Sequence, residues 1–504
     1  MDINNLLRRS SIYTDALEKD RVGRREREAR SNRSDEDTEP YGLGEQTKYF
    51  GRKLLLALFS IQSIDASYNN AKTSSQAGYA GGSQLYDVFS DDQLTPAFRY
   101  RLGLDERVST RDLINNIEGQ SVIQLPANNT YNDNISLSSR FNPFNNVSLD
   151  LSWQTQWDER LSESIALDPS SDISSVRTSS GNISSSIWAF GSGYRTLFER
   201  QLQTAFDDMS ASDNVINDGM GNGDGRTVLS RVTLQEDFRE AYLGRSSSTG
   251  EKNFTAIPLP NWRLIWTGLE SFIPFIGNYM QRASISHAYT GRYRMGWELN
   301  NNPGSEISRT VGNYSVNSLR PEFEPNALNV EKRFAPLLQL NVTWENGLQT
   351  QIGYETSMIT SMALSNVQVT ERSSSGINFS FAYTIQNFKL PFFRALSNDV
   401  DITLNGNFID DKEERFLLET DIANALQAGS AQIIRDPSFY DITDPRISGQ
   451  SRFNGSIVVG YRFSDTFQSN FEYTYTSTNP KSTRTFSRTT HDIRFNIRIN
   501  IRSN

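Results

Sequence analysis

The sequence predicts an all-β protein, an antiparallel transmembrane β-barrel. Three observations carry that reading. Apolar and polar residues alternate over runs of roughly ten to seventeen residues, longer than the 5–6 of an ordinary soluble strand and enough for the 9–11 that a tilted membrane strand needs. Short and long connections alternate between the runs, as in barrels with tight turns at one rim and long loops at the other. The chain is also polar for its aromatic content. Of its 504 residues, 36% are hydrophobic and 11% are Phe, Trp or Tyr, and mean hydropathy is -0.54, a balance that suits strands with one wet and one oily face.

In chain order, residues 1–45 are charged and poor in large apolar side chains, which predicts a disordered or loosely helical polar segment, and residues 46–504 make the barrel segment. The run "NVSLDLSWQTQW" sets Val147, Leu149, Leu151, Trp153 and Trp157 on one face. Asn142-Pro143 before it reads as a tight turn. Between residues 107 and 282 the alternation falters, and the order of short and long connections slips by one strand. Two stretches there, near 194–208 and 269–280, read as helical or plug-like insertions against a barrel wall. Alternation resumes with Ile285, Tyr289, Tyr293, Met295 and Trp297 on one face.

Two further runs flank Asn346-Gly347, the dipeptide that most strongly signals a hairpin. "GINFSFAYTIQNF" and "DVDITLNGNF" alternate in the same way, and two more runs turn at Ser464-Asp465. The last run sets Ile493, Phe495, Ile497, Ile499 and Ile501 opposite Arg494, Asn496, Arg498, Asn500 and Arg502. Connections near 346, 392 and 465 read as short, and those at 300–335 and 410–450 as long, giving about fourteen strands. With the short turns periplasmic, the final strand runs inward and ends in the periplasm.

Composition excludes several classes. A net charge of -9, from 50 basic and 59 acidic residues, argues against nucleic-acid binding. With no cysteine and only two histidines, His287 and His491, the chain has no disulfide framework, thiol nucleophile or histidine-rich metal site. The N-terminus has no apolar core behind a basic start, so no signal peptide is visible. The most apolar run, Leu54 to Phe59, is far below the roughly 20 residues of a membrane helix.

Arg494, Arg498 and Arg502, with Asn496 and Asn500, are assigned to the lumen, because an Arg on the lipid side costs roughly 2–4 kcal/mol at mid-membrane. Trp153, Trp157, Trp262, Trp266, Trp297 and Trp344 are candidates for interfacial aromatic girdles. "NDGMGNGDGR" offers Asp218, Asn222 and Asp224 as calcium ligands, but it departs from the EF-hand pattern and reads as a glycine-rich loop. "DDKEE", residues 410–414, reads as an exposed loop. No Ser, His, Asp or Glu arrangement resembles a catalytic set, and no cofactor is expected.

The stretch 261–293 resembles SprA (Sov), the outer-membrane translocon of the type IX secretion system. The resemblance rests on Trp262, Thr267, Gly268, Leu269, Pro274, His287 and Tyr289. It extends over a second stretch through Phe334, Pro336, Leu337, Trp344, Asn346, Leu364 and Ser365, then Leu390-Pro391-Phe392 and the terminal strand pair. It covers most of residues 45–504 and corresponds to the C-terminal part of the family's barrel.

The resemblance implies a very large single-chain barrel in the bacterial outer membrane, a non-enzymatic conduit for folded cargo proteins carrying C-terminal signals. Its implied partners are a PorV-like β-barrel shuttle that receives cargo through a lateral opening, a periplasmic plug protein and outer-membrane lipid. Family members are longer and begin with an export signal, so the chain is expected to form a partial barrel, as a fragment or one piece of a split gene. Two alternatives stand beside this reading. A TonB-dependent-receptor-like barrel predicts an N-terminal plug and signal. A soluble β-rich surface-binding protein predicts short strands and solubility without detergent.

Overall fold

A computed structural model describes residues 61–76, 123–144, 146–167, 173–208, 215–217, 227–244, 259–271, 279–389, 397–427, 446–464, 467–482 and 485–499. The strands are β1 (Ile61–Gln76), β2 (Ile123–Phe144), β3 (Val147–Leu167), β4 (Ile173–Ser186), β5 (Val215–Asn217), β6 (Asn261–Thr267), β7 (Met280–Leu299), β8 (Glu306–Val311), β9 (Tyr314–Leu319), β10 (Phe323–Trp344), β11 (Gln349–Ala363), β12 (Gln368–Lys389), β13 (Ser397–Leu417), β14 (Arg446–Arg462), β15 (Phe467–Pro480) and β16 (Arg488–Ile499). The helices are α1 (Tyr194–Asp208), α2 (Arg231–Leu243) and α3 (Leu418–Gln427).

Thirteen strands form one antiparallel sheet in the order β1-β2-β3-β4-β7-β10-β11-β12-β13-β14-β15-β16, with β6 paired to β3 and β7. Strands β4 and β6 share a single lane, so the wall has twelve lanes. Among the described residues β1 pairs with β2 alone and β16 with β15 alone, and the sheet does not close on itself. Strands β5, β9 and β8 form a separate small sheet.

Register aligns the apolar positions of neighbouring strands on one face. Ile377 lies opposite Phe408, and Phe408 opposite Phe453. One step further along that face, Ser375 lies opposite Asp410, and Asp410 opposite Ser451. The change from oily to polar therefore occurs at one level across several strands. Below it, Ile377 to Ile385, Val400 to Phe408 and Phe453 to Tyr461 each give an apolar span of about nine residues, which matches a membrane crossing. Ile377 (46%), Phe408 (41%) and Ile457 (41%) are exposed, an arrangement that is stable only against lipid. The opposite face of these strands is mostly polar, with Ala382, Ile409 and Val458 as exceptions. There Ser380 bonds Asn405 at 2.8 Å, Thr384 bonds Asp401 at 2.7 Å, and Arg372 pairs with Glu413 at 2.6 Å. The fold is thus an antiparallel barrel wall of the membrane-spanning type, and its 12- to 22-residue main strands other than β6 separate it from a soluble sandwich.

Above the apolar band the long strands continue, and the same face is covered by the helices. Leu197, Phe198, Leu202, Leu234, Phe238 and Ile422 pack on Tyr293, Met295, Leu328, Val330, Met362 and Val369. Helix α2 is capped by Ser230, whose Oγ accepts from Thr233 N–H. It ends at Gly244, in the left-handed region at φ 68.

Several expectations are corrected. Asn142-Pro143 lies within β2, and the described turn residue is Asn146, at φ 71. The connections expected at 300–335 and 410–450 are shorter, since β10 starts at Phe323 and β13 runs to Leu417. "DDKEE" is strand, not loop. Above the membrane band both faces are charged, so period two vanishes from the sequence although the backbone stays extended. Lys412 pairs with Glu414 at 2.8 Å and Lys481 with Asp410 at 2.8 Å. The stretch 194–208, read as helical or plug-like, is α1. In the 269–280 stretch only a 3-10 turn, Leu269–Ser271, and the residues at Tyr279 and Met280 are described. Residues 1–45 and the glycine-rich loop with Asp218, Asn222 and Asp224 lie outside the described residues.

Candidate functional site

The lane between β3 and β7 is filled by β4 in its upper part, where Ser186 lies opposite Arg292, and by β6 in its lower part, where Trp262 lies opposite Tyr289. The chain leaves the wall after Ser186 and returns at Asn261. A break in a ladder strands backbone groups, which must find other partners. Here side chains supply them. Gln154 N–H donates to Ser186 Oγ at 3.0 Å and Gly291 N–H to Asn261 Oδ1 at 2.7 Å, while Ile187 N–H donates to Gly291 O at 3.1 Å.

From this junction residues 187–193 run as a strap over the apolar face. Ala189 N–H donates to Tyr289 Oη at 2.8 Å, Gly191 N–H to Tyr242 O at 3.1 Å, Gly193 N–H to Ala241 O at 3.0 Å and Trp188 Nε1–H to Pro260 O at 2.8 Å. The approach is close enough to require glycine. A Cβ on Gly291 would lie 2.1 Å from Ile187 O, and one on Gly191 2.1 Å from Ala241 O.

Beneath the strap is an aromatic stack. Trp262 stacks on Tyr289 with centroids 4.4 Å apart, Tyr289 meets Phe334 at 4.9 Å and Phe190 at 5.4 Å, and Trp188 meets Trp262 edge-on at 5.8 Å. His287 joins it, 5.8 Å from Phe334, with Nδ1 2.6 Å from Leu337 O. Pro336 and Leu337 form a bulge in β10 between Phe334 and Leu338.

Beside the stack, between the strap and the sheet, is a cavity of about 430 Å³. Its walls include Lys332, Thr360, Glu371, Glu414 and Phe416 from the sheet, with Tyr194 and Tyr242 from the helices. Glu371 Oε1 accepts from Tyr242 Oη at 2.5 Å and from the Tyr194 amide at 3.2 Å, and Tyr194 Oη donates to Asp421. Burial, reinforced by Asp421, pushes the Tyr194 phenol above its usual range, and burial together with Glu371 does the same for Tyr242. Burial also raises Asp421, partly offset by the Tyr194 bond.

The residues that carry the sequence resemblance fall into two groups. Trp262, His287, Tyr289, Phe334, Pro336 and Leu337 meet at the junction. Thr267, Gly268, Leu269, Trp344 and Asn346 sit at the tight-turn rim. There Thr267 N–H donates to Asn146 O at 2.8 Å, Gly268 adopts φ 77 and Leu269 packs on Ala283 and Val342 beside Trp344. Trp344 Nε1–H donates to Thr350 Oγ1 at 2.9 Å, and Asn346 Oδ1 accepts from Leu348 N–H at 3.1 Å. From Met280, opposite Trp344, to Tyr289 the strand covers about 30 Å at about 3.3 Å per residue. With barrel tilt, this fits two aromatic girdles around the hydrocarbon layer. Trp262 and Trp344 lie at these levels, and Trp266, opposite Ile285, falls between them. Trp297 does not, because it is buried (3%) under the helices against Phe323.

Arg494, Asn496 and Arg498 lie on the polar face, opposite Glu472, Asn470 and Gln468. Pro274, Leu390, Pro391, Phe392, Asn500 and Arg502 lie outside the described residues. Sequence reasoning did not single out the strap, Lys332 or Glu371. "IWAFGSG", an apolar run broken by paired glycines before a helix, carried the strap's signal.

No family model matches the chain, and no curated protein matches it. Solved structures similar to it include a loop L8 deletion of OmpT, an outer membrane protein of Vibrio cholerae, at TM-score 0.17 and 8% identity, covering 87% of this chain and 98% of that one. The trimer form of the same protein gives TM-score 0.17 and 11% identity, covering 86% and 97%. OprB of Pseudomonas putida gives TM-score 0.15 and 8% identity, covering 90% and 96%. At these scores the likenesses carry no argument, and the fold assignment rests on strand length, register and the apolar band.

Proposed function

We propose that this chain is part of the wall of a SprA-type protein-conducting channel in the bacterial outer membrane. The observation that carries the reading is a membrane-high apolar band on β12, β13 and β14, within a twelve-lane sheet whose outer edges are both unpaired among the described residues. Open edges are untenable in lipid, so further strands must cover them. A sheet of this width with both edges still open fits a barrel wider than twelve strands, with a lumen lined by the polar face. Arg494, Asn496 and Arg498 then face the lumen. The sequence resemblance supplies the finer reading: passage of folded cargo with C-terminal signals, lateral transfer to a PorV-like shuttle, a periplasmic plug, and no chemistry by the wall.

Depletion of the protein tests this. Proteins with C-terminal signals should accumulate in the periplasm while other outer-membrane proteins keep their levels. Normal surface delivery after depletion would sink the proposal.

A further inference from the structure

We propose that the cavity beneath the strap holds the headgroup of a membrane lipid carrying both a phosphate and a primary amine, a phosphoethanolamine lipid. The inference rests on the apolar band facing lipid, and so on the membrane-barrel reading. The first argument is position. Lys332 lies on the apolar face one step above Phe334, where the aromatic stack ends the band on β10. The polar layer bordering the hydrocarbon is about 5–8 Å deep on each side, and one outward step of two residues rises by about that much. The exposed ring of Phe190 (56%) stands beside the same stack.

The second argument is charge. Lys332 is half-buried, and no described residue pairs with it. An ammonium so placed suits a phosphate. Of the other charged groups on the cavity wall, Arg195 pairs with Glu199 at 3.0 Å and Glu414 with Lys412 at 2.8 Å, whereas Glu371, opposite Glu414 across β12 and β13, has no ion-pair partner among the described residues, so a purely anionic ligand would meet its carboxylate. Both bonds to Glu371 fall on Oε1, leaving its second carboxylate oxygen for another donor. A headgroup with phosphate toward Lys332 and ammonium toward Glu371 satisfies both ends.

The third argument is size and lining. A volume of about 430 Å³ admits a headgroup, and Val330, Met358 and Phe416 supply apolar wall beside it.

The test is lipid retention by the full chain purified from its native membrane in mild detergent, with bound lipid extracted and identified. Wild type and Lys332→Arg should each retain roughly one phosphoethanolamine lipid per chain, and Lys332→Gln should retain at least about fivefold less. Equal retention by wild type and Lys332→Gln would overturn the proposal, as would equal retention of phosphatidylglycerol, which lacks the amine. Glycerophosphoethanolamine, which has the headgroup but no acyl chains, should not displace the lipid at millimolar concentration. Displacement would overturn the membrane as the source. Heat-modifiable gel migration reports the wall separately from the cavity. If Lys332→Gln lost that shift, Lys332→Met, which keeps the stem's volume, would carry the same comparison.

Discussion

Tyr289 serves two purposes at one position: its ring is the centre of the aromatic stack, and its hydroxyl accepts the Ala189 amide that fixes the strap. Tyr289→Phe keeps the ring and orphans a buried N–H, at a cost of about 1–3 kcal/mol. The expected result is faster amide exchange at residues 187–193 with unchanged exchange in β12 and β13. Gly291→Ala acts from the other side. The added Cβ would meet Ile187 O at 2.1 Å, and the expected loss of strap docking is on the order of 1–3 kcal/mol by overpacking, read by the same exchange measurement. Asp421 makes the docking of α3 depend on pH. Burial raises its folded-state pKa, so its contribution is fully present below the unfolded value of about 3.9 and is lost as pH rises through the folded value. Protection of 418–427, corrected for intrinsic exchange, should therefore weaken as pH rises through that window, and Asp421→Asn should flatten the profile.

Each long strand is two segments in one, a membrane span with one oily face and a taller part with other rules. The spans were legible in the sequence because lipid on one side and water on the other impose period two: Ile377 to Ile385 and Phe453 to Tyr461 could be read directly. The upper parts were not. Ser373, Lys412 and Glu414 stand where an apolar residue would have marked the strand, and Lys412 and Glu414 pair with each other along β13. The junction was half legible. Trp262, His287, Tyr289 and Phe334 were singled out through a resemblance, but no spacing rule could place Trp188 or the bulge at Pro336 against them. The shared lane also explains why strand counting slipped between 107 and 282, since β4 and β6 together make one crossing. The two-segment strand makes a sharp prediction at mid-band. Leu404→Arg should destabilise the folded protein by roughly 2–4 kcal/mol, while Thr403→Arg, one residue away on the polar face, should cost far less. The temperature at which gel migration changes would separate them.

At the scale of the whole molecule, a wall whose outer edges are unpaired among the described residues should not persist alone in a bilayer. Expressed without partner strands, the chain is expected to aggregate or fail to insert, and monodisperse detergent-solubilised monomers with native strand content would refute this. The split lane adds a constraint on assembly. Most neighbouring lanes here are hairpin partners, able to zip together from a nearby turn. The β4/β6 lane is different, because its halves meet only after residues 187–260 have been drawn together. Closing that loop costs roughly 2–3 kcal/mol more entropy than closing a four-residue turn, and the strap and helices must fold to offset it. The wall therefore contains a built-in pause. Strands C-terminal to Asn261 can pair among themselves early, but their joining to β1–β4 waits on a soluble-type folding event at the membrane surface.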